Sequence, residues 1–558
     1  MNRAAHMGIQ LTRFTKSCGP LTKRISLAAD GSVNSDGSAC IMAQGLAERL
    51  DIADVRELAA MIEQLRADQA IALGALRAEL PDRVQIATKR NLNGSRSDEI
   101  ARTGHDIIFR KGQPAWMLLD HDSKGMPSDV AGELQRCGGF WPALMAVLPP
   151  LRSVAHVIRR STSAGLFRTD TGEKFKGSDG LHVYVLVQDG ADIERFLKTL
   201  HERCWLAGCG WMIISASGQL LERSIVDRMV GAPERLVFEG GPVLTPPLSQ
   251  DQDSRRPIAI SGTALNTIEA CPPLTIVETA RLCGLKAQQA HCLAEEKAKV
   301  RTAFIDRQVK VLAQRTGLSA EAATRVLTRQ CDGVLVPDLM LPFDDEVLAG
   351  CTVADVLANP ARYEGATLAD PLEGIDYGRC VAKIVRRADG SPWIHSFAHG
   401  RTIYELKHDV RSVRTAIEQA ADEAVVSTFI KLTVAADLSH QEIEELRNLT
   451  AKRSGVGKRT IAAMLKAARQ DHAANLERDE RQRWLAERQD PRLAIRAPSD
   501  DAPWLPQMEV LNDVIGKSTA SHPPARDIDG AAALTAQIAV SETHAFTMLS
   551  ANFGADND

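Results

Sequence analysis

Apolar positions along this chain change spacing from one stretch to the next, and the changes divide it into segments. Residues 1–40 are rich in Ser, Gly, Asp and Lys, and irregular chain is expected there. From residue 43 onward Leu46, Leu50, Ile52, Val55, Leu58, Met61, Ile62 and Leu65 recur three and four apart, which predicts a helical segment over 41–81. Residues 82–250 mix short apolar runs with amphipathic stretches. Strands are expected at 82–86, 106–110, 153–158, 181–187, 211–214 and 220–226, with Gly112-Gln113-Pro114 and Thr169-Asp170-Thr171-Gly172 as turns. Ser128 or Asp129 caps a helix that continues toward Leu148, where Pro149-Pro150 ends it, and 193–206 is a second helix. Polar, Pro-containing residues 251–275 read as a linker. Residues 276–335 are helical, and 336–410 form a small mixed or β module with a hairpin turn at Ala388-Asp389-Gly390-Ser391. Residues 411–475 are helical again, and 476–558 are a charged helix followed by an irregular tail. The fold class expected is α+β.

Composition narrows the function classes without choosing one. The 558 residues exceed one typical domain, and 67 basic against 71 acidic side chains give a net charge of -4. Nucleic acid would therefore be bound by local basic patches rather than by a global field. Eleven cysteines without a CxxC pair suit reduced thiols in a cytosol. His201, Cys204 and Cys209 lack a fourth zinc ligand at a usual spacing. No apolar run reaches the ~18 residues of a membrane span, and the first residues lack the apolar core of a signal peptide. The expected setting is cytoplasmic, with no membrane partner.

Candidate chemistry concentrates around Trp116-Met117-Leu118-Leu119-Asp120-His121-Asp122. On a strand Asp120 and Asp122 point the same way, and two acids on one face at the end of a buried run repel each other unless a cation is near. Downstream lie the small-residue loop Gly177-Ser178-Asp179-Gly180-Leu181-His182 and then Asp227 after another strand. Three carboxylates can hold two divalent ions, Mg²⁺ or Mn²⁺, roughly 3.5–4 Å apart, for attack by a 3′-hydroxyl and departure of pyrophosphate. Ser161, Ser163, Ser178 and Gly180 offer hydroxyl and N–H groups to phosphate, and His182, Arg160 and Arg235 can donate to its oxygens.

This order resembles the archaeo-eukaryotic primase superfamily, the primase-polymerases, over about residues 82–250. Leu118-Leu119-Asp120-His121-Asp122 matches its first motif, Ser178-Asp179-Gly180-Leu181-His182 its second and Val226-Asp227 its third. The resemblance implies a catalytic domain with an RRM-like sheet, metal at Asp120, Asp122 and Asp227, and an incoming nucleotide at His182. A hairpin-like insert between Ser161-Thr162-Ser163 and His182 departs from the family's compact loop. Residues 373–405, with Ile394-His395-Ser396-Phe397-Ala398-His399-Gly400-Arg401, look like a segment that follows such modules in replication proteins of phages, plasmids and integrative elements. That segment reads as structural or nucleic-acid-contacting rather than as a two-histidine metal site. The function implied is a DNA primase or primase-polymerase of a mobile genetic element, acting on single-stranded template DNA and nucleoside triphosphates.

Farther on, Ser439-His440-Gln441-Glu442 is a capping box. It opens a helix leading to Gly455-Val456-Gly457, the outline of a helix-turn-helix, with Lys452, Arg453, Lys458 and Arg459 as a phosphate-facing set. Lys452 and Arg459 stand where a P-loop needs Gly and Ser or Thr, so a fused ATP-driven helicase is not expected and any helicase is a separate chain. Two other classes compete: a non-catalytic DNA-binding replication or regulatory protein, and a rolling-circle nicking enzyme. The second lacks the paired histidines, because His182-Val183-Tyr184 supplies one.

Overall fold

The computed structural model describes residues 8–487 apart from 89–90, 93–97, 124, 176–179, 376, 388 and 399–402. The chain divides into two units, Met1–Leu465 and Lys466–Asp558, and apart from helical residues 466–487 the features below belong to the first. Its fold is mixed α+β, built from several small sheets. Among the described residues no helix is long and apolar enough to cross a membrane.

The first eighty residues correct the sequence reading. Strands β1 (Ile9–Lys16), β2 (Gly45–Ile52), β3 (Gln69–Ala72), β4 (Arg83–Ile86) and β5 (Glu99–Ile100) make a sheet in the order β3-β1-β2-β4-β5, so residues 1–40 contribute an ordered central strand. β1 is covered on both faces: Leu11 enters one apolar core and Phe14 another. A strand buried on both sides loses the simple in–out alternation that would have announced it. The helix expected over 41–81 is shortened to α1 (Val55–Glu63), which Asp54 caps by accepting from Arg56 and Glu57 N–H. The spacing of four between Leu46 and Leu50 is also a multiple of two, so it fits β2 as well as a helix.

The central sheet holds β6 (Ala115–His121), β7 (His156–Arg160), β8 (Leu181–Val187) and β11 (Ile258–Ile260) in the antiparallel order β6-β8-β7-β11. Trp116, Met117, Leu118 and Leu119 are all essentially buried. Helices α2 (Ser128–Arg136), α3 (Phe140–Val147) and α4 (Ile193–Leu206) pack into the same core. The single helix expected from 128 toward 148 is broken at Gly138 and Gly139, with φ of 90° and 109°, and Pro127 rather than a serine or aspartate side chain stands at its cap. After α4 come the paired strands β9 (Gly210–Ile214) and β10 (Leu220–Ser224). The expected linker is also corrected. Its residues supply β11 and the buried Arg255, whose polar sequence reads as solvated chain because its partners lie about a hundred residues away.

Helices α5 (Ile276–Cys292), α6 (Ala294–Thr316) and α7 (Ala320–Cys331) follow. Strands β12 (Val334–Leu335), β13 (Thr367–Leu368), β14 (Ala382–Arg386), β15 (Pro392–Ser396) and β16 (Ile403–Leu406) form a second sheet, ordered β12-β16-β15-β14-β13. Beneath it the buried Asp370 accepts from Tyr404 and Ser396 hydroxyls at 2.9 and 2.6 Å. Helices α8 (Val410–Gln419), α9 (Val425–Val434), α10 (His440–Ser454) and α11 (Lys458–Glu487) come last, and the first four residues of the α10 capping box are as expected. Residues 488–558, including Trp504 and Leu505, lie outside the described residues.

One segment ties the N-terminal sheet to the central one. Ile71 and Val237 exchange backbone hydrogen bonds, and Thr22 Oγ1 donates to Gly240 O at 3.2 Å. A Cβ at Gly240 would stand 2.1 Å from Arg66 O, whereas one at Gly241 meets nothing within 4 Å. Gly240→Ala is expected to cost about 1–3 kcal/mol through overpacking, and Gly241→Ala far less. The midpoints of urea unfolding for the two variants check this, and equal midpoints would contradict it.

Candidate functional site

The site begins at the C-terminal end of β6. Register pairs Asp120 with His182 of β8 directly across the ladder, so both side chains project from the same face. His182 Nε2 lies 3.6 Å from Asp120 Oδ1. β6 ends at His121, so Asp122 is exposed just beyond the strand rather than on it, a correction to the sequence reading. His121 turns to the opposite side, where it stacks on Phe140 with centroids 4.4 Å apart and donates from Nδ1 to Ile225 O at 2.8 Å. That bond and Asp227 N–H donating to Asp120 O at 2.9 Å bring the chain after β10 alongside the open edge of β6. Asp227 Oδ1 accepts from Met229 N–H at 2.8 Å.

Electrostatics treat these groups as one cluster. Burial raises the Asp120 carboxyl above its ordinary range; His182 and Arg235 oppose the rise, while Asp227 and Asp122 add to it. Asp120 nevertheless keeps 30% of its side chain exposed, which leaves a route to a ligand. Asp122 and Asp227 line one small cavity of about 20 Å³ together with Glu222, Arg223 and Arg228. Arg235 is exposed and donates from Nη1 to Met229 O at 2.9 Å.

The interrupted small-residue loop is rejoined in space. Ser161 N–H donates to Gly180 O at 2.9 Å, and a Cβ on Gly180 would meet Ser161 Cβ at 3.2 Å and His121 O at 3.1 Å. Ser161 and Ser163 hydroxyls lie 3.4 Å apart. The insert leaves through Leu166–Arg168, which pairs with Leu248–Gln250, and Gln250 Nε2 donates to Thr162 and Ala164 carbonyls. Ser178 lies outside the described residues.

Sequence reasoning missed the support under His182. Glu239 is fully buried; its Oε1 accepts from His182 Nδ1 at 2.5 Å and from Tyr184 OH at 2.6 Å. Arg159 and Arg255, also buried, stand 3.3 and 3.6 Å from Glu239 Oε2. Burial alone would lower the His182 imidazole, but Glu239 and then Asp120 outweigh it and hold the ring above its usual range. Burial likewise pushes Glu239 up, and His182, Arg159 and Tyr184 together pull it below the ordinary carboxylate range. Arg255 is pushed down to about 10 by burial and by its neighbour Arg159. The one sequence signal for this network is Gly240-Gly241, which marks a close backbone approach just after Glu239. Tyr184, its hydroxyl engaged with Glu239, is not an accessible nucleophile of the kind a nicking enzyme needs.

Divalent metal is tested by the donors themselves. The acids are hard oxygen ligands suited to Mg²⁺ or Mn²⁺, and the upward shift at Asp120 is a strain that a cation would relieve. Among the described residues no three His, Cys, Asp or Glu side chains stand together at metal-holding distances. The cysteine–histidine group is core: His201 is buried against Ser224 Oγ at 2.9 Å and held down to about 4, mainly by burial.

The second expected set lies on the helical bundle. Lys452, Lys458 and Arg459 are exposed around the Gly455 turn. Arg453 corrects the expectation, because its guanidinium donates to Ile417, Glu418 and Ala420 carbonyls and so satisfies the end of α8.

Glu239→Gln keeps the shape but leaves two buried guanidinium groups without a counter-charge, and is expected to cost about 3–5 kcal/mol. Because the folded Glu239 carboxyl is depressed, its stabilisation is present above the ordinary carboxylate range and is lost as pH falls through the lower folded value. Unfolding free energy followed from pH 7 to pH 3 is expected to fall less steeply in the variant; parallel curves would contradict this.

No family model, curated protein or solved structure matches this chain.

Proposed function

We propose that this chain is a template-directed nucleotidyltransferase, a DNA primase or primase-polymerase serving replication of a mobile genetic element. Its substrates would be single-stranded template DNA and nucleoside triphosphates, with any helicase on a separate chain. The single observation that carries the reading is the cross-strand pair Asp120–His182 with Asp227 hydrogen-bonded through its backbone to Asp120. The strand order agrees with it. Chain order β6, α2–α3, β7, β8, α4 sets the first strand beside the third, the neighbour order of an RRM-like sheet, and after the β9–β10 pair the irregular segment 225–227 returns beside β6 through the Asp227 N–H to Asp120 O bond.

In this reading Asp120, Asp122 and Asp227 would hold two Mg²⁺ or Mn²⁺. Such ions, when bound, would supply activation of an attacking 3′-hydroxyl and stabilisation of the departing pyrophosphate. His182 is fixed by Glu239 through Nδ1, which leaves Nε2 to donate to a phosphate oxygen once a nucleotide competes with Asp120. Ser161 and Ser163, gathered against Gly180, offer hydroxyls to the same triphosphate, and Arg235 adds positive charge near Asp120. Positioning and electrostatics then supply most of the rate.

A second reading, a non-catalytic DNA-binding replication protein, is favoured by the exposed Lys452, Lys458 and Arg459 beside a helix–turn–helix outline. A helix–turn–helix outline suits duplex DNA. Lys458→Ala with Arg459→Ala is expected to reduce the salt dependence of duplex binding by about one unit of slope per lost phosphate contact. An unchanged slope would exclude this surface.

The two readings part at synthesis. On a single-stranded template with labelled nucleotides and Mn²⁺, the chain is expected to make or extend primers. Asp120→Ala with Asp122→Ala is expected to lower the rate by about a hundredfold or more, and His182→Ala chiefly to raise KM for the nucleotide. Full activity in the double aspartate variant would refute the catalytic assignment.

A further inference from the structure

The second sheet turns only one face to its core. Ile384, Ile394, Ser396 and Tyr404 point inward and are essentially buried. Alternation then sends Lys383 and Arg387 outward from β14 and its continuation, and Trp393, His395 and Phe397 outward from β15 and its continuation. The register sets Lys383 directly opposite His395. The three rings touch in series, Trp393 to His395 at 5.7 Å and His395 to Phe397 at 4.6 Å between centroids, both edge to face. Arg387 lies over Trp393, 5.8 Å from the ring centroid. At the outer end of the row Phe397 is 47% exposed, and on the adjoining strand Ile403 is 41% exposed.

Beyond its contact with His395, Phe397 leaves nearly half its surface in water at the end of an ordered row. The charge around it indicates the kind of partner. Lys383 and Arg387 stand beside the rings, and Arg387 is paired with Glu405. Rings interleaved with cations suit a ligand that has flat apolar faces and a polyanionic backbone. The edge-to-face contacts hold the rings in place beforehand, so little side-chain freedom remains to be lost on binding.

We propose that this face is a stacking platform for single-stranded nucleic acid, with unpaired bases against Phe397 and His395 and phosphates toward Lys383. It is separate from the Asp120 site and does not depend on that site being catalytic. Duplex DNA hides its base faces and is not a ligand for this face.

The test uses the full chain and fluorescence anisotropy with a labelled thirty-nucleotide thymidine oligomer and, separately, a duplex of the same length. Phe397→Ala with His395→Ala is expected to weaken single-strand binding roughly tenfold or more, leave duplex binding within about twofold, and melt at the temperature of the parent chain. A single-strand affinity changed less than twofold overturns the proposal, as does an equal loss on duplex, or a parent chain that does not bind the oligomer. Should the double variant melt lower, Phe397→Leu keeps an apolar side chain and removes the ring; a similar loss of single-strand binding supports the platform, and retained binding overturns it.

Discussion

A carboxylate and an imidazole facing each other across neighbouring strands, with a buried carboxylate beneath the imidazole, set most of what is distinctive in this molecule. Asp120 and His182 are a register pair, so their proximity is fixed by the β6–β8 ladder and not by a loop. A one-residue slip would send both to the other face of the sheet. The apolar run Trp116–Leu119 opposes that slip, because every residue in it is already buried against one face or the other. Rigid strands thus deliver the two groups, and the segment at 225–227 delivers Asp227 by a backbone hydrogen bond to Asp120 itself.

Beneath that pair the charges do not cancel in the ordinary way. One carboxylate, Glu239, faces an imidazole and two guanidinium groups within a nearly dry interior. Such a set is costly to assemble and more costly to break by removing its one anion. The N-terminal sheet is what holds that anion in place, through Ile71 to Val237 and the glycine that allows Arg66 to approach. Ile71 and Arg66 lie more than a hundred positions before His182 in the chain, yet they contact the segment on which it rests.

The sequence made the acids and the imidazole legible because their signals are local: an apolar run ending in Asp120, a strand opened by His182, an apolar pair before Asp227. The same was true of the capping box at Ser439 and the strand segments around Ala388. What stayed hidden depends on partners far away in the chain. β1 is covered on two faces and so does not alternate. Arg255 reads as solvated chain although it is buried against Arg160, Ser161 and Glu239 carbonyl groups. Arg453 reads as a phosphate contact, although it closes the end of α8. Leu46 and Leu50 fit two periods at once, and only pairing with β1 decides between them.

The account rests on one claim, that Asp120, Asp122 and Asp227 act together as the ligand set for divalent ions beside a nucleotide. Binding of Mn²⁺ to the full chain, followed by electron paramagnetic resonance with a non-hydrolysable nucleoside triphosphate present, tests it most directly. The account predicts two bound ions, lost in Asp120→Asn and Asp227→Asn variants that still melt as the parent does. Ion binding that is absent from the parent chain, or unchanged in both variants, would contradict it.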